Sequence, residues 1–230
     1  MRKPFALSIG VIASAALLAL SVWSDLSAHE VSASVGGVYQ PMGRDDPFDL
    51  VFNEDFDGES LNQERWTRCY WWDKKGCTNL SSKNLQWYMR DNVTLEDGKL
   101  VLTAREEDVA GWKGRRFPYT SGLITTGRYY AESPSDVRFD ATYGFFEIRA
   151  KIPAGRGLWP AIWMLPSNLE SLPEIDIMEV LGHKPDLLEL HFHFQDGLRN
   201  DTSVGREVET VDLSEDWHVY GLDWSADRMI

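Results

Sequence analysis

The chain has 230 residues, a formal net charge of −13 and two cysteines. This length allows one domain or at most two small ones. An acidic chain is a poor candidate for binding nucleic acid or anionic lipid, because both repel a negative surface. Two cysteines are also too few for a structural zinc site built from cysteines alone.

Residues 1–33 have the pattern of a secretory signal peptide. Arg2 and Lys3 form a basic start, an apolar run follows from residue 5 to about residue 23, and Val31-Ser32-Ala33 is the better of two small-residue cleavage sites. An uncleaved membrane anchor is the alternative, but the apolar run is barely long enough to span a bilayer and contains serines and a glycine. We expect cleavage, and therefore a secreted or periplasmic protein.

The rest of the chain divides into a linker and one domain. Residues 34–47 are rich in glycine, proline and polar residues, which predicts a linker. Within residues 48–230, Asp97-Gly98 separates two alternating runs and predicts a hairpin. The stretches YGFFEIRAKIP, LLELHFHF and WHVYGLDW also alternate, and no segment has a helical period of useful length. The pattern predicts an all-β sandwich or jelly roll.

The cysteines and tryptophans suit an exported carbohydrate-active domain. Cys69 and Cys77 are close enough in sequence to form a disulfide across a small loop, the alternative being two free thiols. Nine of the ten tryptophans follow residue 33, more than a core of this size requires. Because sugar rings stack on aromatic faces, we expect at least one of Trp159 and Trp163 to lie in a carbohydrate cleft rather than in the core.

The segment PEIDIMEV places three carboxylates in an apolar run. Side chains alternate along a strand, so Glu174 and Asp176 share a face while Glu179 falls on the other. Ionised side chains cost several kcal/mol to bury without partners. A β-bulge near Ile177-Met178 would rotate the strand and return Glu179 to the face of the other two acids.

Three carboxylates on one face fit a calcium site, a solvated face or a catalytic set. The flanking apolar residues leave no polar stripe at Glu179, which argues against a solvated face. Retaining glycoside hydrolysis needs two carboxyl groups roughly 5–5.5 Å apart, one to attack the anomeric carbon and one to protonate the leaving oxygen. Acids this close cannot all ionise cheaply, so one keeps its proton.

The surroundings of these acids carry a family resemblance. GRGLWPAIWMLPSNLESLPEIDIMEVLGH closely resembles the signature region of glycoside hydrolase family 16, whose members have a concanavalin-like jelly-roll fold. Further stretches resemble family segments in the expected order: LVFNEDFDGESLNQERWT, NLQWYMRDNVTLEDGKLVLTARE and WHVYGLDWSADRMI. The resemblance extends over about residues 48–230.

The resemblance implies a role for each acid. Glu174 corresponds to the nucleophile, Glu179 to the general acid/base and Asp176 to the residue that assists the nucleophile. The bulged form of the motif is typical of members that cut β-1,3-glucans and marine galactans.

The resemblance also implies substrate-binding positions. Trp159 and Trp163 match tryptophans beside the family's cleft, and Asn84 and His193 match positions that often reach the bound glycan. His191 and His193 form a His-x-His pair, which we interpret as an ordinary polar strand face rather than a metal pair. The family requires no cofactor, although many members hold a structural calcium ion.

Two departures from the family pattern limit what the resemblance implies. Leu123 in SGLITT stands where many β-1,3-glucanases have arginine, which leaves the exact glycan open. The family pattern also continues beyond DWSADRMI with strands that complete both sheets, so we expect the C-terminal strands to be missing.

The sequence therefore predicts a secreted, monomeric, retaining endo-glycosidase that acts on a β-linked polysaccharide, with β-1,3-glucan of the laminarin type as the expected substrate. A galactanase or agarase of the same family is one alternative. A non-catalytic glucan-binding protein is another, although such relatives have typically lost one or both glutamates. Transglycosylation shares the same glycosyl-enzyme intermediate and is not separated from hydrolysis by sequence.

Overall fold

The computed structural model of the chain describes residues 7–12, 36–69, 84–128, 137–168 and 170–230. Its strands, in chain order, are β1 (Leu7–Ile12), β2 (Val38–Tyr39), β3 (Phe48–Asp49), β4 (Gln86–Tyr88), β5 (Val93–Leu95), β6 (Leu100–Leu102), β7 (Arg105–Ala110), β8 (Arg116–Ser121), β9 (Ile124–Thr125), β10 (Gly144–Ala150), β11 (Ala161–Pro166), β12 (Glu174–Glu179), β13 (Leu187–Gln195), β14 (Asp201–Glu209) and β15 (His218–Trp224). Short 3₁₀ helices cover Arg90–Asn92 and Trp112–Gly114. No helix in these ranges is long and apolar enough to cross a membrane.

The largest sheet has six strands in the order β14-β13-β12-β11-β1-β9. Its apolar face packs against the antiparallel pair β10–β15 through one buried cluster, to which both layers contribute. From the large sheet come Ile162, Met164, Ile175, Ile177 and Met178; from the pair come Phe146, Tyr220 and Leu222. These residues occupy the apolar positions of alternating strands, so one face of each layer is removed from water.

The strands predicted from alternation are present. Val93–Leu95 and Leu100–Leu102 form the predicted hairpin, and Asp97 and Gly98 adopt positive φ angles of 50° and 69° at its turn. Two consecutive residues with positive φ form a tight turn whose backbone twist matches that of the flanking strands. The predicted alternating stretches form β10, β13 and β15.

The described part of the segment predicted to be a linker is folded onto the domain. Val38–Tyr39 pairs with Phe48–Asp49, and the Tyr39 hydroxyl donates a hydrogen bond to Glu147 at 2.8 Å. Arg44 forms an ion pair with Asp223 at 2.8 Å. The glycines and prolines therefore form turns in a packed segment. Composition alone does not distinguish such a segment from a free linker, because both are rich in these residues.

Strand β1 belongs to the segment predicted to be a signal peptide. It pairs with β11 from Leu7 opposite Pro166 to Ile12 opposite Ala161, and with β9 on its other side. Strand pairing does not test cleavage, so the signal peptide remains a prediction. Removal of this segment would leave the facing edges of β9 and β11 without a shared neighbour.

Truncation of Ile162 tests the packing of the two layers. Ile162 is fully buried in the cluster between them. We expect Ile162→Ala to lower the free energy of unfolding by about 2–5 kcal/mol, because it removes apolar contacts and leaves a cavity. Urea denaturation measures the loss, with Val204→Ala as control because Val204 is 58% exposed. Equal losses in the two variants would contradict this position of the core.

Candidate active site

The predicted bulge lies in β12. Asp176 pairs with Trp163 of β11, and the next pair is Met178 with Ile162, which leaves Ile177 without a partner. The pairing with β13 shows the same shift, because three steps from Asp176 to Glu179 match two steps along the partner strand. One extra residue on one strand is the definition of a β-bulge.

The bulge brings the three acids to the face opposite the core. Ile175, Ile177, Met178 and Val180 are at most 4% exposed and belong to the core cluster. Glu174 and Glu179 are partly buried, and Asp176 is only 5% exposed. A single strand thus has a core face and a carboxylate face, and its apolar side chains hold the acids in position.

Two histidines on β13 face these acids. His191 Nδ1 lies 2.9 Å from Glu179 Oε2 and forms a hydrogen bond with it. His193 Nε2 lies 3.2 Å from Asp176 Oδ2, close enough for an ion pair but without the alignment of a hydrogen bond. The two rings stack with centroids 5.7 Å apart. Both contacts follow from strand alternation, which places these histidines on the same side of β13.

Burial raises the pKa of every acid in the set, and repulsion by other acids of the set adds to the rise for Glu174 and Asp176. Desolvation, followed by the charge of Glu179, raises the pKa of Glu174 to about 7. Desolvation and both neighbouring carboxylates raise the pKa of Asp176 to about 8. Burial also raises the pKa of Glu179, while hydrogen bonds from His191 and Trp159 oppose that rise and the charge of Glu189 adds to it. At least one of these carboxyl groups therefore keeps a proton near neutral pH.

A cleft of about 410 Å³ opens beside Glu174. Its lining is largely polar, and consists of Ser171, Leu172, Glu174, His193, Asp201, Thr202 and Ser203. Hydroxyl, imidazole and carboxyl groups at this density suit a ligand that carries many hydroxyl groups. Glu174 and His193 connect the cleft to the carboxylate set.

Of the other three predicted binding residues, the structure brings two to the acids and leaves one apart from the cleft lining. Trp159 is 55% exposed and its side chain hydrogen-bonds Glu179, whereas Trp163 is half-buried opposite Asp176. Both tryptophans therefore lie beside the acids. Asn84 is partly buried two residues before β4 and is not among the residues that line the cleft. Its role in glycan binding remains a prediction.

Cys69 is buried and disulfide-bonded. Cys77, the other cysteine of the sequence, lies outside the described residues. The disulfide of Cys69 agrees with the predicted pairing, and the identity of its partner remains a prediction.

Asp176, His191 and His193 bring one carboxylate oxygen and two imidazole nitrogens within 4.8 Å of one another, a spacing that a metal ion could use. Each imidazole already faces a carboxylate of the set. The absence of a metal at this site remains a prediction. The position of Glu189 opposite Glu179 and the contact of His191 with Glu179 are not visible in the sequence, because both depend on the register between two strands.

The raised pKa of Asp176 predicts how stability depends on pH. A carboxyl group with a raised pKa binds more protons in the folded than in the unfolded state, so stability falls as pH rises through the folded-state value of about 8. We expect the wild type to lose more stability than Asp176→Asn between about pH 6 and about pH 9. Urea denaturation at both pH values measures this difference, with the exposed Glu209→Gln as control. Equal losses in wild type and Asp176→Asn would contradict the assignment.

Comparison with known proteins shows the family and the fold. The family model described as glycosyl hydrolases family 16 matches residues 80–230. An endo-1,3-1,4-beta-glycanase of Rhizobium meliloti is 30% identical over 78% of this chain and 39% of its own length. A glucan endo-1,3-beta-glucosidase of Cryptopygus antarcticus is 33% identical over 78% of this chain and 64% of its own length. The chain thus spans less than two thirds of these relatives.

The solved structure of the laminarinase catalytic domain from Thermotoga maritima superposes with a TM-score of 0.63 and 31% identity, over 78% of this chain and 71% of that one. Together with the nearly all-β architecture, this similarity confirms the predicted concanavalin-like jelly-roll sandwich. The chain belongs to glycosyl hydrolase family 16.

Proposed function

We propose that the protein is an exported, retaining endo-glycosidase that hydrolyses a β-linked polysaccharide, with β-1,3-glucan of the laminarin type as its substrate. The observation that carries the proposal is the bulged strand β12, which presents Glu174, Asp176 and Glu179 on one face beside a polar cleft. The two relatives are an endo-1,3-1,4-beta-glycanase and a glucan endo-1,3-beta-glucosidase, and both names support the substrate class.

The proposed reaction proceeds by two displacements. In the first, Glu174 attacks the anomeric carbon while Glu179 protonates the glycosidic oxygen, so the leaving sugar departs as an alcohol and a glycosyl-enzyme ester remains. In the second, Glu179 takes a proton from water, the water oxygen attacks the same carbon, and the bond to Glu174 breaks. Two inversions leave the anomeric configuration unchanged.

The electrostatics of the site support these roles. The pKa of Asp176, raised to about 8 by burial and both neighbouring carboxylates, keeps this group protonated at neutral pH. A protonated Asp176 can donate a hydrogen bond to an ionised neighbour, which would stabilise Glu174 as a nucleophile. Burial raises the pKa of Glu179, which favours the protonated form that the first step needs.

The surroundings of the acids favour a neutral glycan. Trp159 presents a largely exposed aromatic ring next to Glu179, and the apolar face of a sugar can stack on such a ring. The net charge of −13 disfavours sulfated polysaccharides such as carrageenan. Laminarin combines a β-linked backbone with no charge.

Replacement of either glutamate tests the roles. We expect Glu174→Gln and Glu179→Gln each to lower kcat on laminarin about 10³-fold or more, since each removes a group that reacts in the transition state. Reducing ends released from laminarin, lichenan, agarose and carrageenan measure the activity, and Glu209→Gln serves as an exposed control. Wild-type activity in Glu174→Gln would show that the nucleophile lies elsewhere. Glucan binding without release of sugar by the wild type would instead favour a binding protein.

The stereochemistry of the first product tests the two-step mechanism. We expect proton NMR during early hydrolysis of laminarin to show the β-anomer of the new reducing end first, followed by mutarotation to the equilibrium mixture. Initial appearance of the α-anomer would indicate a single displacement by water. Added acceptor glycan would reveal transglycosylation as products longer than those formed without it.

A further inference from the structure

The contact between His191 and Glu179 has a geometry that a polar strand face does not require. The two side chains come from neighbouring strands, yet residue 179 is paired with Glu189 and residue 191 with Asp176. The hydrogen bond of 2.9 Å therefore runs diagonally across the bulge and joins Nδ1 to Oε2. Both side chains are sheltered, with 27% and 13% of their surfaces exposed. A charge-assisted hydrogen bond in a sheltered site is stronger and more directional than one on the surface.

The neighbouring strand β14 leaves space for the imidazole ring of His191. Gly205 lies directly opposite His191 in the pairing of β13 and β14. A Cβ atom at Gly205 would meet His191 Cδ2 and would lie 2.9 Å from Nε2 and 3.0 Å from the carbonyl oxygen of Leu190. Its φ is not in the left-handed region, so the absent side chain, rather than backbone conformation, explains the fit of glycine here.

We propose that His191 is a positioning residue that fixes the Glu179 carboxyl group for proton transfer, with Gly205 providing the space that the imidazole ring occupies. This inference rests on the proposed role of Glu179 as general acid/base. His191 holds one oxygen of the carboxyl group and thereby restricts its rotation. It also stabilises the carboxylate that remains after Glu179 has protonated the leaving oxygen, the form that then accepts a proton from water.

The charges around His191 and Glu179 determine in which direction removal of His191 shifts the pKa of Glu179. The titratable groups that face it from β12, β13 and β14 are Glu174, Asp176, Glu189, His193 and Glu207. All but His193 are acids, and the charge of Glu189 raises the pKa of Glu179. His191 opposes that rise, so its removal shifts the pKa of Glu179 upward.

Two substrates separate positioning from general damage. Laminarin needs protonation of its leaving oxygen, whereas a 2,4-dinitrophenyl β-glycoside of laminaribiose releases 2,4-dinitrophenolate as a stable anion. Formation of the glycosyl-enzyme from the aryl glycoside, the step that kcat/KM reports, therefore needs the nucleophile but no general acid. We expect His191→Phe to lower kcat/KM for laminarin about tenfold to a hundredfold, as for loss of one charge-assisted hydrogen bond, and to change kcat/KM for the aryl glycoside by less than about threefold. His191→Asn, which keeps a donor near the position of Nδ1, should recover part of the loss.

The pH profile gives the second readout. We expect the alkaline limb of kcat/KM for laminarin to move to higher pH in His191→Phe and to move less in His191→Asn, because the pKa of Glu179 rises when its partner is lost. Equal losses on both substrates with an unmoved alkaline limb would overturn the proposal and leave His191 a structural role.

Gly205→Ala should reproduce the effect of His191→Phe without altering the imidazole itself. The added methyl group displaces the ring, so laminarin hydrolysis falls while cleavage of the aryl glycoside persists. Gly197→Ala is the matched control, because a Cβ there meets nothing within 4 Å. Unchanged laminarin hydrolysis in Gly205→Ala would overturn the part of the proposal that concerns Gly205.

A titration independent of turnover distinguishes this inference from the proposed function. Carboxyl ¹³C chemical shifts of labelled glutamate, with Glu179→Gln used for assignment, report the pKa of Glu179 in wild type and in His191→Phe. An upward shift in the variant supports the contact, and the same pKa in both proteins overturns it. If the pKa shifts but wild type cleaves neither substrate, the proposed function fails while the contact stands.

Discussion

The shift in strand register at Ile177 is the constraint on which the site depends. A regular strand would direct Glu179 to the side opposite Glu174 and Asp176, among the residues of the core. There a carboxylate would lack partners and would cost several kcal/mol to bury. The unpaired residue rotates the strand once, so that Met178 and Val180 turn into the core while Glu179 turns to the face of Glu174 and Asp176. The same bulge therefore buries the apolar side chains and places the three acids on one face.

Three acids on one partly buried face create an electrostatic problem that the neighbouring strand helps to solve. Burial and repulsion raise the pKa of each carboxyl group, and a shared proton relieves the repulsion. His191 and His193 bring imidazole nitrogens to the two positions where β13 passes these acids. Their different partners give the acids different surroundings, since one histidine forms an aligned hydrogen bond with Glu179 and the other lies beside the more buried Asp176. Different surroundings allow chemically identical groups to serve as acid, base and nucleophile.

The architecture explains why this site can be rigid. The acids lie on a central strand of a six-stranded sheet, and the opposite face of that strand packs on β10 and β15. Cleft residues from β13 and β14 are fixed by nine paired positions along those strands. Catalytic groups on paired strands are held more firmly than groups on loops, which favours the small distances that proton transfer requires.

The sequence by itself determined the all-β class, the main strands, the bulge and the three acids. Alternation of apolar and polar residues is a local property, and a third acid out of phase in an apolar strand has few physical solutions. The sequence did not reveal that residues 36–47 pack on the domain, because glycine and proline form turns in packed and free segments alike. It also left His191 an ordinary member of a polar face. Only the tertiary structure joined His191 to Glu179 and Gly205 to His191, because both contacts depend on the register between strands, which many residues far apart in sequence set together.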